Sequence, residues 1–130
     1  MESKQVGLVS GSSRGIGAAI AKKFAQQGID LMLVARSEKE LSAVASTISR
    51  SYQVRVSYLS GDLQNESICE RAIEKTIEEF GQIDILVNCA GTIHRAPTLE
   101  HQLHEWDEVM RTNVTSAFML SRLAISQMLH

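Results

Sequence analysis

Little in this sequence points to an exported, metal-bound or membrane-embedded protein. Its 130 residues include two cysteines, Cys69 and Cys89, without the paired spacing of a disulfide or zinc framework. Both are expected as free thiols in a reducing compartment, with the cytoplasm as the default. The one proline, Pro97, marks the long loop of the chain. No apolar run is long enough to span a bilayer. Met1 to Gln5 is polar, without the apolar segment of a signal peptide. An excess of one charge is missing too. The formal net charge of -2 argues against general binding to nucleic acid or a membrane surface. Internal repeats, low-complexity tracts and linkers are absent. What is present, 44% hydrophobic and 22% charged residues, is an ordinary globular balance, sufficient for one domain over 1–130 with a real core.

The most informative stretch is Ser10-Gly11-Ser12-Ser13-Arg14-Gly15-Ile16-Gly17. It follows the apolar run Val6 to Val9 and opens an amphipathic run, Ile16 to Phe24, which reads as strand, glycine turn, helix. Glycines allow the chain to pass close to a ligand. The helix start offers unpaired N–H groups and the positive end of a dipole. Together these make an anion site, suited to the pyrophosphate of a dinucleotide. An ordinary strand-to-helix turn has the same glycines, so spacing alone leaves both readings open.

Apolar β-type runs alternate with helical patterns along the rest of the chain, which predicts βαβ units and a parallel sheet. Strand Gln5 to Val9 leads to a helix from about Gly15 to Gln27, expected to bury Ile16, Ala19, Ile20 and Phe24 and to be capped by Gly28. Leu31 to Ala35 is apolar throughout, as in a strand covered on both faces. Ser37 and Glu40 form a capping box for a helix to about Arg50, with the stripe Leu41, Val44, Ala45, Ile48. Val54 to Leu59 alternates and suits a sheet edge. A helix from about Glu66 to Phe80 carries Cys69, Ala72, Ile73, Thr76, Ile77 and Phe80 on one face and stops at Gly81. Strand Ile83 to Val87, the Pro97 loop and a single helix from about Leu103 complete the reading. The expected fold is a three-layer, doubly wound α/β sheet of the Rossmann type, strand order 3-2-1-4, with its ligand at the carboxyl ends of strands 1 and 4. The glycine turn, Arg36, Asp62 and the Asn88 turn all fall at those ends.

These residues resemble the short-chain dehydrogenase/reductase family. The likeness rests on Gly11-Ser12-Ser13-Arg14-Gly15-Ile16-Gly17, Gly61-Asp62-Leu63, Asn88-Cys89-Ala90-Gly91 and Asn113 in Thr112-Asn113-Val114, in the family's order and spacing. Ile83 to Thr115 also resembles members acting on sugar acids such as gluconate and ketogluconates. The resemblance implies an oxidoreductase that interconverts an alcohol and a carbonyl. It implies that Asp62 accepts a hydrogen bond from adenine, that the Leu63 backbone binds the ring, and that the Asn88 turn steadies the central strand. Ala90 and Gly91 would let ribose and nicotinamide lie against the backbone. Cys89 replaces the commoner second asparagine. Asn113 would bend its helix and hold a water that feeds a proton relay. Without the resemblance, Asp62 reads as a turn residue, and Asn113 as a satisfied core amide or a cap at a helix break.

Cofactor choice has a physical handle. NAD-selecting sites place a carboxylate near the end of strand 2. Here Ala35-Arg36 stands there, and Arg36 with Arg14 suits a 2′-phosphate. NADP(H) is therefore expected over NAD(H), the alternative being two solvated arginines. His94, Arg95, His101 and His104 lie near the mouth of the site. No cysteine or carboxylate cluster completes a ligand set with them, so no metal is expected. Arg95 suits an acidic substrate or plain solvent.

The family transfers hydride with a tyrosine and a lysine four residues later. Here Val56 and Asp62 stand four residues after Tyr52 and Tyr58, so Asn113 is the one member of the catalytic set in these residues. The family continues for roughly as many residues again. Two functional expectations follow. The sequence is the N-terminal part of an NAD(P)(H)-dependent oxidoreductase, incomplete after the fourth strand and the helix behind it. Alternatively it is a cofactor-binding or pairing module, or an inert remnant. The isolated chain is expected to bind cofactor without turnover, and to self-associate through its last helix or the bare edge of strand 4.

Overall fold

The computed structural model describes residues 4–129. Its strands are β1 (Val6–Ser10), β2 (Asp30–Ala35), β3 (Val56–Ser60) and β4 (Ile85–Asn88). All pair in parallel, in the order β3-β2-β1-β4, with Ser10 level with Val34 on one side and Asn88 on the other. The helices α1 (Gly15–Gln26), α2 (Glu38–Ser51), α3 (Glu66–Phe80), α4 (Leu103–Met110) and α5 (Ser116–Met128) supply the crossovers and the outer layers. The expected doubly wound α/β sheet is therefore present.

Alternation along the central strands divides the core in two. Leu8, Met32 and Val34 face a layer built from Cys69, Ala72 and Ile73 of α3 and Leu120 and Ala124 of α5. Val9, Leu31, Leu33 and Ala35 face Ala21 and Ala25 of α1 and Leu41, Ala45 and Ile48 of α2. Every residue of β1 and β2 is buried, the mark of strands covered on both sides. β3 lies at one edge, half-buried, with Val54, Val56 and Tyr58 packed on the α1–α2 side, as their alternation required.

The helix boundaries follow local chemistry. Ser37 Oγ accepts the Glu40 N–H at 3.2 Å, capping α2. After α1, the Gly28 N–H donates to Ala25 O and the Ile29 N–H to Phe24 O, the paired bonds of a Schellman ending. Gly81 closes α3 with φ +80°.

Two expectations need correction. Of the apolar stripe expected for α1, Ile20 and Phe24 are half-buried and Phe24 packs on the core, but Ile16 is 76% exposed and Ala19 faces solvent, and the fully buried residues are Gly17, Ala21 and Ala25. The helix lies so close to the turn beneath it that only small side chains fit between them. The last helix is also not regular throughout. A π-helical turn, Arg111–Thr115, separates α4 from α5, and of the stripe Trp106, Val109, Met110, Ala117, Leu120, Ala124, Leu120 and Ala124 are the buried members. At the bare edge of β4, Ile83 is buried, while Ile85, Leu86 and Val87 are half-buried.

One structural ion cluster left no periodic signal in the sequence. Asp30, fully buried at the start of β2, accepts the Arg55 N–H at 2.9 Å and its Nε–H at 3.1 Å. The Arg55 guanidinium also lies 5.0 Å from the centre of the Phe80 ring. This cluster sits at the amino ends of the strands, opposite the cleft described next.

Candidate functional site

At the carboxyl ends of the strands a cleft of about 310 Å³ opens. Its walls come from four segments far apart in sequence: Gly11, Ser13 and Arg14; Ala35 to Ser37 with Glu40; Gly61 to Leu63; and Cys89 to Gly91 with Thr112. Parallel strands all point their carboxyl ends to the same side, so loops after β1, β2, β3 and β4 must meet there.

Serines hold the first wall. The Gly11 N–H donates to Val34 O at 2.7 Å, and the buried Ser12 Oγ accepts the Val34 N–H at 3.1 Å. Ser10 Oγ accepts the N–H groups of Cys89 and Ala90, both at 3.1 Å, and donates to Val87 O at 3.4 Å. One buried hydroxyl thus sets the distance between the glycine turn and the loop after β4. The packing leaves no room for side chains at two positions. A Cβ on Gly11 would stand 2.6 Å from Cys89 O, and one on Gly17 would stand 2.1 Å from Gly11 O. No side chain caps α1: the residue before it, Arg14, is extended and makes no cap hydrogen bond. Among the described residues no side chain meets its first-turn N–H groups at the positive end of the helix dipole, and the residue before them, Arg14, lines the cleft.

The other walls add directional groups. Asp62 lines the cleft and also makes a local turn, Oδ1 accepting the Gln64 N–H at 3.0 Å. The turn leaves this carboxylate with lone pairs to spare. Arg14 and Arg36 are exposed on the cleft rim, and among the described residues neither has a carboxylate within salt-bridge distance. Glu40 borders the same corner as Arg36 and is the group there that opposes an anion. A dipole-rich, uncapped helix start beside two arginines is an arrangement for a phosphate-bearing ligand.

Other sequence-chosen residues stand elsewhere. Gly15 and Ile16 are exposed and Gly17 is buried beneath the turn, so they shape the cleft without lining it. Asn88 is exposed, its Nδ2–H donating to Ser121 Oγ at 3.2 Å. Asn113 is not the buried core amide considered above but an exposed one, with both amide ends in use. Its Oδ1 accepts the Thr92 N–H at 2.7 Å and its Nδ2–H donates to Thr92 O at 3.0 Å. It sits within the π-helical turn, so the helix is irregular at the residue expected to bend it. Ser10, Ser12, Ser37, Glu40 and Thr112 were not singled out as site residues. The two buried serines carried one signal, small hydroxyls at the end of a fully buried strand.

The histidines form an ion-pair cluster. Glu108 Oε2 lies 3.0 Å from His94 Nε2, and Glu105 Oε2 lies 3.7 Å from Nδ1. The two carboxylates meet this histidine at different ring nitrogens. Among the described residues no three potential ligands converge on one point. Cys69 is buried and free, its Sγ–H donating to Leu63 O at 3.4 Å. Burial pushes its thiol up to about 11, with nearby Arg111 opposing the rise.

Residues 5–130 match the short chain dehydrogenase family. The chain belongs to that family. A 3-oxoacyl-(acyl-carrier-protein) reductase of Aquifex aeolicus is 34% identical over 125 residues, covering 96% of this chain and 50% of the relative. The L-sorbose reductase of Gluconobacter frateurii, solved with NADPH and L-sorbose, superposes with a TM-score of 0.93 at 33% identity, over 97% of this chain and 48% of that one. The alcohol dehydrogenase of Thermococcus sibiricus, solved with 5-hydroxy-NADP, gives 0.92 at 29% identity, over 96% and 53%. This short-chain dehydrogenase chain thus spans about half the length of the curated relatives it matches. Among the described residues no helix is long and apolar enough to cross a membrane.

Proposed function

We propose that residues 1–130 form the dinucleotide-binding domain of an NADP(H)-dependent oxidoreductase that interconverts an alcohol and a carbonyl. The observation that carries this reading is the glycine cradle. Space for a Cβ is missing at Gly11 and Gly17, directly beside an uncapped helix start and two arginines that line the cleft. In this reading the Gly11–Gly17 turn and the start of α1 receive the diphosphate, with Ile16 on the outer side of the helix mouth. Ser13, Arg14 and Arg36 receive the 2′-phosphate. Asp62 and the Leu63 backbone receive adenine, and Ala90 and Gly91 leave room for ribose and nicotinamide. Asn88 steadies the end of β4, and Asn113 holds the loop beyond Gly91. When bound, the nicotinamide supplies the hydride donor or acceptor.

Two named neighbours support the cofactor class, since both were solved with NADPH or an NADP analogue. The NADP(H) preference rests on this chain's own Ala35-Arg36 in place of a carboxylate. For the 130 residues as they stand, with no Tyr-x-x-x-Lys among them, the proposal is binding without turnover, because general acid–base work needs a titratable group that Asn113 does not have. The two free thiols fit a reducing compartment such as the cytoplasm. Titration with NADPH and NADH followed by nicotinamide fluorescence tests the reading. Tighter NADPH binding and no ketone reduction are expected. Tighter NADH binding overturns the preference, and steady NADPH oxidation overturns the inactivity.

A second reading, a pairing module, is favoured by one observation. Trp106, Val114, Phe118 and Ile125 are each more than half exposed along α4 to α5, and β4 has a neighbour on one side alone. We propose self-association through these surfaces. Sizing at rising concentration tests it, and a monomer throughout refutes it.

A further inference from the structure

The loop after β4 is held by polar contacts rather than by apolar burial. Leu99 is fully exposed and Ile93 is 66% exposed, and no residue from 91 to 102 is buried. Five contacts fix it instead. Asn113 brackets the Thr92 peptide from both sides. The His94 ring sits between Glu108 at 3.0 Å and Glu105 at 3.7 Å, both on α4. The His101 ring contacts His94 O at 3.1 Å. Glu105, Glu108 and His101 are the titratable groups that contact His94 among the described residues. The same loop begins with Cys89, Ala90 and Gly91, which wall the cleft.

From this geometry we infer that His94 is a positioning residue whose protonation clamps the loop to α4 and so sets how tightly the cleft holds its dinucleotide. An imidazolium donates from both ring nitrogens, and a neutral ring from one. When the ring is charged, it is hydrogen-bonded to Glu108 and attracts Glu105, 3.7 Å away, by charge. When it is neutral, one carboxylate loses its partner, and Glu105 and Glu108, three residues apart on one helix face, repel each other. The clamp is therefore complete when the ring is charged and weaker when it is neutral. His94 touches no reacting atom; it acts through Thr92 and Ile93, the two residues between it and Gly91 of the cleft wall. The inference rests on the proposed cofactor reading.

The test compares NADPH affinity of the 130-residue chain, His94→Gln and Glu108→Gln between about pH 5.5 and 8. The cofactor's own phosphate titrates in the same window, so the readout is the difference between each variant and the unaltered chain. The unaltered chain is expected to lose an additional two- to fivefold in affinity across the window, about the size of a partly exposed ion pair, and both variants are expected to lack that additional change. Amide exchange of residues 92–101, corrected for intrinsic rates, gives a readout without cofactor: protection falls with pH in the unaltered chain and is flat in the variants. Identical pH profiles in all three proteins, or loop protection independent of pH in the unaltered chain, overturn the inference. Failure of NADPH to bind at every pH overturns the cofactor reading instead, while the exchange measurement still decides the clamp.

Discussion

Gly17→Ala sets two physical effects against each other. Within a helix, replacing glycine by alanine gains about 1 kcal/mol through reduced chain entropy, less in the first turn. Here the new methyl would stand 2.1 Å from Gly11 O. Ordinary contact lies at 3.4 Å or more, so the turn and the helix would have to separate by more than about 1 Å. The atom it meets is backbone, which cannot rotate away. Forcing volume into packed structure costs about 1–3 kcal/mol, so a net loss of about 1–2 kcal/mol follows. At this chain length that lowers the melting temperature by roughly 3–10 °C. The displacement also re-aims the first-turn N–H groups of α1, and NADPH affinity should fall by at least about tenfold. Urea unfolding with an unchanged slope and a fluorescence titration measure the two effects. A variant as stable as the unaltered chain, binding NADPH equally well, would refute the tight turn and with it the cradle.

Other outcomes follow from single side chains. Ser10→Ala removes the acceptor shared by the Cys89 and Ala90 N–H groups. It should cost about 1–3 kcal/mol and weaken NADPH binding, as urea unfolding and titration would show; full retention of both contradicts the bridging role. Arg36→Asp places a carboxylate where a 2′-hydroxyl is bound in NAD-selecting sites. It should reverse the preference to NADH, and an unchanged NADPH-to-NADH ratio sinks the assignment. In the native chain a thiol reagent at pH 8 should label Cys89, which lines the cleft, and spare Cys69. NADPH should protect Cys89, and mass spectrometry reads both. Because burial raises the Cys69 thiol to about 11, its contribution to stability is complete below its unfolded value near 9 and declines as pH rises between those values. Equilibrium unfolding at pH 8 and pH 11 should show that decline relative to Cys69→Ala.

How legible each part was depends on the range of the interactions that fix it. The capping of α2 was legible because Ser37 and the Glu40 N–H are three residues apart. The α1 face was legible only in part, at Ile20 and Phe24, because periodicity reports apolarity, whereas Gly17 is turned inward by a contact with Gly11 that leaves no room for a side chain. The helix irregularity left no mark on the apolar period, which runs from Trp106 to Ala124 through it; its one signal was Asn113. What fixes Asn113 is the Thr92 peptide, 21 residues away.

The sequence alone determined the alternation of strands and helices, hence the parallel sheet and its order. Short-range patterning and the handedness of crossovers leave little freedom there. It also determined which four segments carry unusual residues, because the carboxyl ends of parallel strands are adjacent in any such sheet. Only the tertiary structure decided that one serine hydroxyl spaces two of those segments. It likewise decided that two glutamates grip a histidine on a loop with no apolar anchor. Those contacts join residues 14 and 79 positions apart, and no local pattern encodes a pairing that exists only once the layers have packed.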